Sequence, residues 1–268
     1  MIDQFYIAST GLSAYQDMMV NVTNNVANAQ TTGFKKSRVE LENLFPKLLE
    51  EAVSNMNAND LGADQIRKKK IEFGSGVKVV DVRKDFTPGT IEVTNKPLDL
   101  AIQGDGFFQV RMPDGSLAYT RAGNFHQDLN GYITDANGHP IEPAIKIPEN
   151  TTAIAIDTEG KVFVQGNNEL AQQEVSQILV ARFPSAEGLQ SMGQNLYVQT
   201  AASGEPMVDV AGRNSMGTIA QFSLEFSNVN IIDEMMQMVI IQRAFELVTK
   251  SISTGESMLR NATEIARA

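Results

Sequence analysis

Two long apolar seams, one near each end of the chain, restrict its possible folds more than anything between them. Phe5, Ala8, Leu12, Tyr15, Met19, Val22 and Val26 recur at alternating steps of three and four, with polar Asp17, Asn21 and Asn24 interspersed. That spacing keeps these side chains on a single helical face and matches the a/d pattern of a coiled coil. The helix is expected to end near Thr32-Gly33, because glycine accepts the left-handed backbone of a C-terminal cap. The C-terminal segment repeats the device: Ile231, Met238, Ile241, Phe245, Val248, Ile252 and Leu259 share one seam, weakened at Glu234 and Gly255. Asn228 or Asn230 is the expected N-cap, and Asp233 and Glu234 then favour the positive end of the helix dipole.

A second apolar stripe on the C-terminal segment contains Ile232, Met235, Met236, Val239 and Ile240. A helix apolar around so much of its circumference is not stable alone in water. The two terminal helices could close as an antiparallel hairpin within one chain, but that pairing leaves the second stripe wet. Covering it with neighbouring copies gains about 25 cal/mol per Å² of apolar surface. Head-to-tail contacts that fail to close generate helical filaments. Exposed stripes of this kind mark partner surfaces or aggregation hazards.

Between the seams the period shortens to two. Val77–Val82, Asp99–Ile102, Phe107–Val110 and Ile178–Ala181 read as strands, as does Gln221–Phe226, where apolar and polar residues alternate strictly. Turn signals stand at Asp105-Gly106, Asp114-Gly115, Asn130-Gly131, Asn137-Gly138 and Glu159-Gly160. The expected class is α+β. Residues 1–35 with 226–268 form a helical, coiled-coil domain, residues 36–85 an extended linker with connecting strands, and residues 86–225 a central antiparallel β-rich outer domain. The stretch from Pro46 to Gly76 fits neither period: a short helical run at Leu48, Leu49 and Ala52 precedes polar residues, the basic cluster Arg67-Lys68-Lys69-Lys70 and Gly74-Ser75-Gly76. It reads as an extended linker that orders against a neighbour, and its basic cluster either touches an acidic patch there or stays solvated.

Composition narrows the chemistry. A net charge of −10 repels nucleic-acid phosphates and anionic lipid. The absence of cysteine removes disulfides, thiolate nucleophiles and zinc–thiolate sites, and with only His126 and His139 an imidazole-rich metal site is poorly supported. No apolar run approaches the ~20 residues a bilayer requires. The start Met1-Ile2-Asp3-Gln4-Phe5 lacks a basic region and apolar core, so it is not read as a secretory signal. Gly104-Asp105-Gly106 lacks a third glycine at dinucleotide spacing and leads into aromatic strand residues, so it reads as a turn. Gly160-Lys161 lacks the P-loop hydroxyl. The serines between Gly188 and Gly193 and between Gly212 and Gly217 lack nucleophile-elbow spacing. Asp128–Gly131 and Asp135–Gly138 lack the remaining ligands of a calcium loop. No catalytic, cofactor or metal residue is expected, and the chain is read as a non-enzyme.

Four segments taken in order resemble a known family. Asn24-Asn25-Val26-Ala27-Asn28 with Thr31-Thr32-Gly33-Phe34-Lys35 resembles the N-terminal signature of flagellar rod and hook proteins. Ser227-Asn228-Val229-Asn230, Glu234-Met235, Gln242-Arg243-Ala244-Phe245-Glu246 and Met258-Leu259 resemble its closing signature. Asp99–Phe108 and Tyr119–Phe125 are similar to its β-domain motifs. Length, the insert at 46–76, and the segment from Gly188 to Tyr197 resemble the distal-rod type, with a proximal rod protein or a rod paralogue as the alternative.

The resemblance implies a self-assembling subunit of a tubular shaft that crosses the periplasm in the flagellar basal body and carries motor torque to the hook. It also implies export of the unfolded chain through the flagellar type III apparatus and folding at the growing tip under a rod cap. Its implied partners are further copies, proximal rod proteins, hook or hook-junction subunits, the rod cap and the P- and L-ring bushing, with no nucleic acid, membrane insertion or cofactor. The terminal helices are then expected to order on docking. The assembly interface is expected at Phe5, Leu12, Tyr15, Met19, Asn24, Asn25, Asn28, Phe34, Met235, Met238, Ile241, Gln242, Arg243, Phe245, Ile252 and Leu259. The amides of Asn24, Asn25 and Asn28, unfavourable within a helix, serve either interhelical and backbone hydrogen bonds or capping within one chain. An export adaptor that holds a partner with its terminal helices is the reading from a different class; a carbohydrate-acting enzyme built on the β domain lacks paired carboxylates in a recognisable motif.

Overall fold

Both seams form helices in the computed structural model, which describes residues 2–45, 47–51, 69–166 and 173–265. The chain divides into two compact units. One comprises residues 1–23, 38–83 and 235–268, the other residues 24–37 and 84–234.

The first unit holds most of α1 (Ile2–Ala27), strands β1 (Ser37–Asn43), β2 (Lys47–Glu51), β3 (Lys69–Phe73) and β4 (Val77–Lys84), and most of α2 (Ile231–Ile265). β1 pairs with β4, and β2 pairs antiparallel with β3, Lys47 opposite Phe73 and Glu51 opposite Lys69. The helical run expected at Leu48 and Leu49 is therefore strand: a cross-strand partner supplies the backbone hydrogen bonds that so short a helix could not hold alone. Ala52, Arg67 and Lys68 lie outside the described residues, whereas Lys69 and Lys70 open β3. The seam of α2 turns inward as expected, with Ile241 buried and Met238, Phe245, Val248, Ile252 and Leu259 half-buried. Ile231, at its first turn, is exposed instead. Gly255, the weak point of the seam, faces Phe5, and a Cβ there would meet the phenyl ring at 3.6 Å, an ordinary van der Waals contact.

The second unit is the β-rich one. Its strands are β5 (Ile91–Val93), β6 (Leu100–Gln103), β7 (Phe107–Arg111), β8 (Leu117–Thr120), β9 (His126–Gln127), β10 (Ile133–Thr134), β11 (Thr151–Ile156), β12 (Lys161–Gly166), β13 (Gln173–Gln177), β14 (Leu179–Arg182), β15 (Gln190–Gly193), β16 (Leu196–Val198), β17 (Met207–Val210), β18 (Thr218–Gln221) and β19 (Ser223–Glu225). Six of them make one antiparallel sheet in the order β15-β16-β8-β7-β14-β17. Its central strands are buried on both faces. Phe108, Val110, Ala118, Val180 and Leu196 enter one apolar cluster, while Phe107, Tyr119, Ala181 and Tyr197 enter another. Consecutive aromatics at Phe107-Phe108 follow from that: with both faces covered, a strand needs no polar alternate. Edge-to-face rings bind the second cluster, Tyr119 to Phe183 at 4.7 Å and Phe86 to Tyr197 at 5.1 Å between centroids.

Two expectations fail in this unit. α1 stops at Ala27 rather than at Thr32-Gly33. Asn28 N–H divides between the Asn24 and Asn25 carbonyls, and the chain then turns away. Gly33 is left-handed, φ 68°, but it caps nothing: its N–H donates to the Glu225 carbonyl, and a Cβ there would collide with the backbone nitrogen of Ala122. The run from Gln221 to Phe226 is not one strand. Phe222 adopts φ 54° between β18 and β19, and the strand beyond it is inverted, with Phe222 exposed while Ser223 and Glu225 are buried.

Candidate assembly site

Two features stand out against this framework, a polar junction where α1 ends and α2 begins, and an apolar face left exposed among the described residues. The junction lies wholly in the β-rich unit. Asn25, in the last turns of α1, is buried and treats Ser37 as a neighbouring strand would. Its Nδ2 donates to the Ser37 carbonyl at 2.9 Å, and its Oδ1 accepts the Ser37 N–H at 2.9 Å. Nδ2 also donates to Oε2 of Glu234 at 3.1 Å. Glu234 is buried in the first turn of α2, and its Oε1 lies 3.0 Å from Lys36 Nζ. Only a carboxamide offers a donor and an acceptor side by side to mate with a peptide group.

The two candidate caps have separate duties. Asn230 is the N-cap of α2, its Oδ1 accepting the Ile232 N–H at 3.1 Å and its carbonyl the Glu234 N–H. Asn228 is a strut, accepting the Lys36 N–H at 2.8 Å and donating to the carbonyls of Asp85 and Thr87. Asn28 donates to the Asn24 carbonyl and accepts from the Thr31 hydroxyl, which is capping within one chain. Phe34 is buried beneath Lys84, whose ammonium stands 4.6 Å from the ring centroid. Burial holds the Lys84 ammonium below the ordinary lysine range.

Beside the junction, Lys35 and Arg121 converge on Glu225, all three within 2% of complete burial. Lys35 Nζ lies 2.7 Å from Oε1 and also donates to the Thr87 carbonyl at 2.7 Å. Arg121 Nη1 reaches Oε2 at 3.3 Å, and its Nη2 donates to the Gly104 carbonyl. Desolvation pulls both cations below their ordinary pKa values, and the Glu225 carboxylate opposes it. Sequence reasoning missed this carboxylate, because the alternation around it reads it as solvent-facing. Arg121 and Lys35 did stand inside the quoted motifs.

The apolar face lies on α2. Ile232, Met235, Met236, Val239 and Ile240 are between 47% and 70% exposed, and Leu247 and Met258 continue the exposure along the helix. Of the residues expected at an assembly interface, Asn24, Met235, Gln242 and Arg243 are exposed. Phe5, Leu12, Tyr15, Met19, Asn28, Met238, Phe245, Ile252 and Leu259 are half-buried. Asn25, Phe34 and Ile241 are buried within the chain. The helices of the first unit enclose an apolar cleft of about 850 Å³, lined by Phe5, Ala8, Tyr15, Val248, Ile252 and Met258 among others. Of the half-buried residues expected at the interface, Phe5, Tyr15 and Ile252 open onto it.

The turn residues have local tasks. Asp135 accepts the Asn137 and His139 N–H groups and faces His139 Nδ1 at 3.0 Å, closing its own turn. His126 Nε2 lies 3.3 Å from the Thr134 hydroxyl.

Residues 5–35 match the family model described as flagella basal body rod protein. Residues 101–164 match that of the flagellar hook protein FlgE/F/G D1 domain, and residues 220–265 that of the flagellar basal body rod FlgEFG protein C-terminal. The chain is 38% identical over 265 residues to the flagellar basal-body rod protein FlgG of Buchnera aphidicola subsp. Acyrthosiphon pisum, covering 99% of this chain and 100% of that protein. It is 36% identical over 269 residues to FlgG of Borreliella burgdorferi, covering both chains completely. With FlgG of Caulobacter vibrioides it shares 36% identity over 258 residues, 96% of this chain and 97% of the relative.

Proposed function

The chain belongs to the flagellar basal-body rod protein family and is a structural subunit of the distal rod; from that premise we propose that it polymerises through the outward stripe of α2. The observation that carries this reading is the row of Ile232, Met235, Met236, Val239 and Ile240, an apolar face on an otherwise acidic chain. Removing that row from water gains about 25 cal/mol per Å², and further copies are the partner that a rod supplies in quantity.

The half-buried seams of α1 and α2 complete their packing in the same step. Neighbours that press on the helices close the cleft between them into coiled-coil pairing, so Phe5, Tyr15 and Ile252, which line it, serve assembly from within, and Leu12, Met19, Met238, Phe245 and Leu259 continue the same two seams. Asn25, Phe34 and Ile241 serve it indirectly, by fixing the helices in the fold. Torque passes through repeated close-packed interfaces, whose stiffness comes from packing density and not from one bond. Proximal rod proteins, hook or hook-junction subunits, the rod cap, the ring bushing and the export apparatus are the further partners of such a subunit.

Negative-stain electron microscopy of the full-length chain, beside a chain trimmed to residues 24–234, tests this reading. That cut keeps Asn25, Lys35 and Glu234 and removes most of both helices. Tubes or fibres are expected from the full-length chain alone. Discrete particles from both at high concentration would argue against self-assembly and favour an export adaptor.

A further inference from the structure

Lys35, Arg121 and Glu225 pose a problem of order in time. Two cations are fully buried against one carboxylate, and Arg121 Nε has no hydrogen-bond partner among the described residues. Burying either cation without its counter-charge is strongly unfavourable. Both cations precede the carboxylate in the chain, Arg121 by 104 positions and Lys35 by 190. Residue 225 also gathers backbone. Its carbonyl accepts the Gly33 N–H at 2.8 Å, its Oε1 accepts the Gly89 N–H at 2.9 Å, and the next residue, Phe226, donates to the Thr90 carbonyl. β19 pairs with β5, Glu225 opposite Ile91. One residue thus holds the segment leading out of α1, the segment leading into β5, and the end of β8.

We propose that Glu225 is a closing latch: residues 33–37 and 89–93 seat on the β-rich unit only when its carboxylate arrives between Lys35 and Arg121. The root of α1 is then fixed only after almost the whole chain is available. A subunit delivered in extended form keeps that root loose until β19 is in place, which delays presentation of an ordered N-terminal helix. The geometry belongs to a single chain, so the latch stands whether or not the α2 stripe drives polymerisation.

Hydrogen–deuterium exchange on the dilute full-length chain tests it. Glu225→Gln removes the charge, keeps the shape and leaves the backbone acceptor for Gly33 intact. Exchange is expected to rise about a hundredfold at 33–37 and 89–93 together with 223–226, the scale of a broken buried ion pair. The sheet strands at 107–111 and 179–182 are expected to keep their protection. Lys35→Met leaves Glu225 paired with Arg121 and is expected to raise exchange at 89–93 less than about tenfold. If Glu225→Gln unfolds the chain throughout, the triple variant Lys35→Met, Arg121→Met, Glu225→Met decides: with no charge left to strand, protection at 33–37 and 89–93 is expected to return. Exchange raised at 223–226 alone, or a triple variant as unprotected as Glu225→Gln, would overturn the latch.

Discussion

Asn25 binds a peptide group with its side chain, and that demand excludes its nearest isostere. Asn25→Asp replaces the donor to the Ser37 carbonyl with a second acceptor and sets a carboxylate beside Glu234. A loss of about 2–4 kcal/mol in urea unfolding is expected, from the lost buried donor and the like charge. Gly33 is constrained by backbone and by space together. Gly33→Ala is expected to cost about 2–4 kcal/mol, whereas Gly115→Ala, left-handed in open space, should cost about 1 kcal/mol; equal losses would mean that the approach to Ala122 does not matter. The sequence left Asn25 between interhelical or backbone hydrogen bonds and capping; it makes the former, but its partner, a main-chain group twelve positions away, was not legible. Glu225 was hidden for a different reason: one left-handed residue, Phe222, reverses the faces of the strand after it, and periodicity cannot see a backbone reversal.

The helices are the elements the sequence announced most clearly, since a seam of many turns averages over local exceptions. One of the two exceptions has a structural cause: Glu234 answers Asn25 and Lys36. The cap of α2 was narrowed to two asparagines, and each has a place that sequence spacing alone cannot assign. Asn230→Ala is expected to lower stability by about 1 kcal/mol and to speed amide exchange in the first turn of α2. Strands were harder. Leu48 and Leu49 sit in a run too short to separate a period of two from one of 3.6, and their partner strand lies beyond the intervening residues 52–68. The two apolar faces of α2 should respond differently to the same change. Ile241→Ala, on the buried seam, is expected to cost about 3 kcal/mol in thermal unfolding, and Ile240→Ala, on the exposed stripe, under about 0.5 kcal/mol.

At the scale of the whole molecule, the α+β class, the terminal helices and the β-rich middle followed from periodicity, and family membership from the ordered motifs. The division into units did not. The last turn of α1 and the first turn of α2 belong with the β-rich unit because Asn25 and Glu234 are bound there. Motif boundaries carry no record of such contacts. The fold anchors two helix roots and leaves Met235, Met236, Val239 and Ile240 of α2 exposed; the proposed function assigns that face to further copies. Sedimentation velocity across a concentration series, on the wild-type chain and on Met236→Asp/Ile240→Asp, tests that claim most directly. Each carboxylate sits on an exposed position, so the melting temperature should stay within a few degrees of wild type. Wild type is expected to form polymers, and the variant to remain a single species at concentrations at least about tenfold higher, the factor that ~1.4 kcal/mol per contact implies. Polymers that form at the same concentration in both would contradict the assignment of the α2 stripe as the assembly surface.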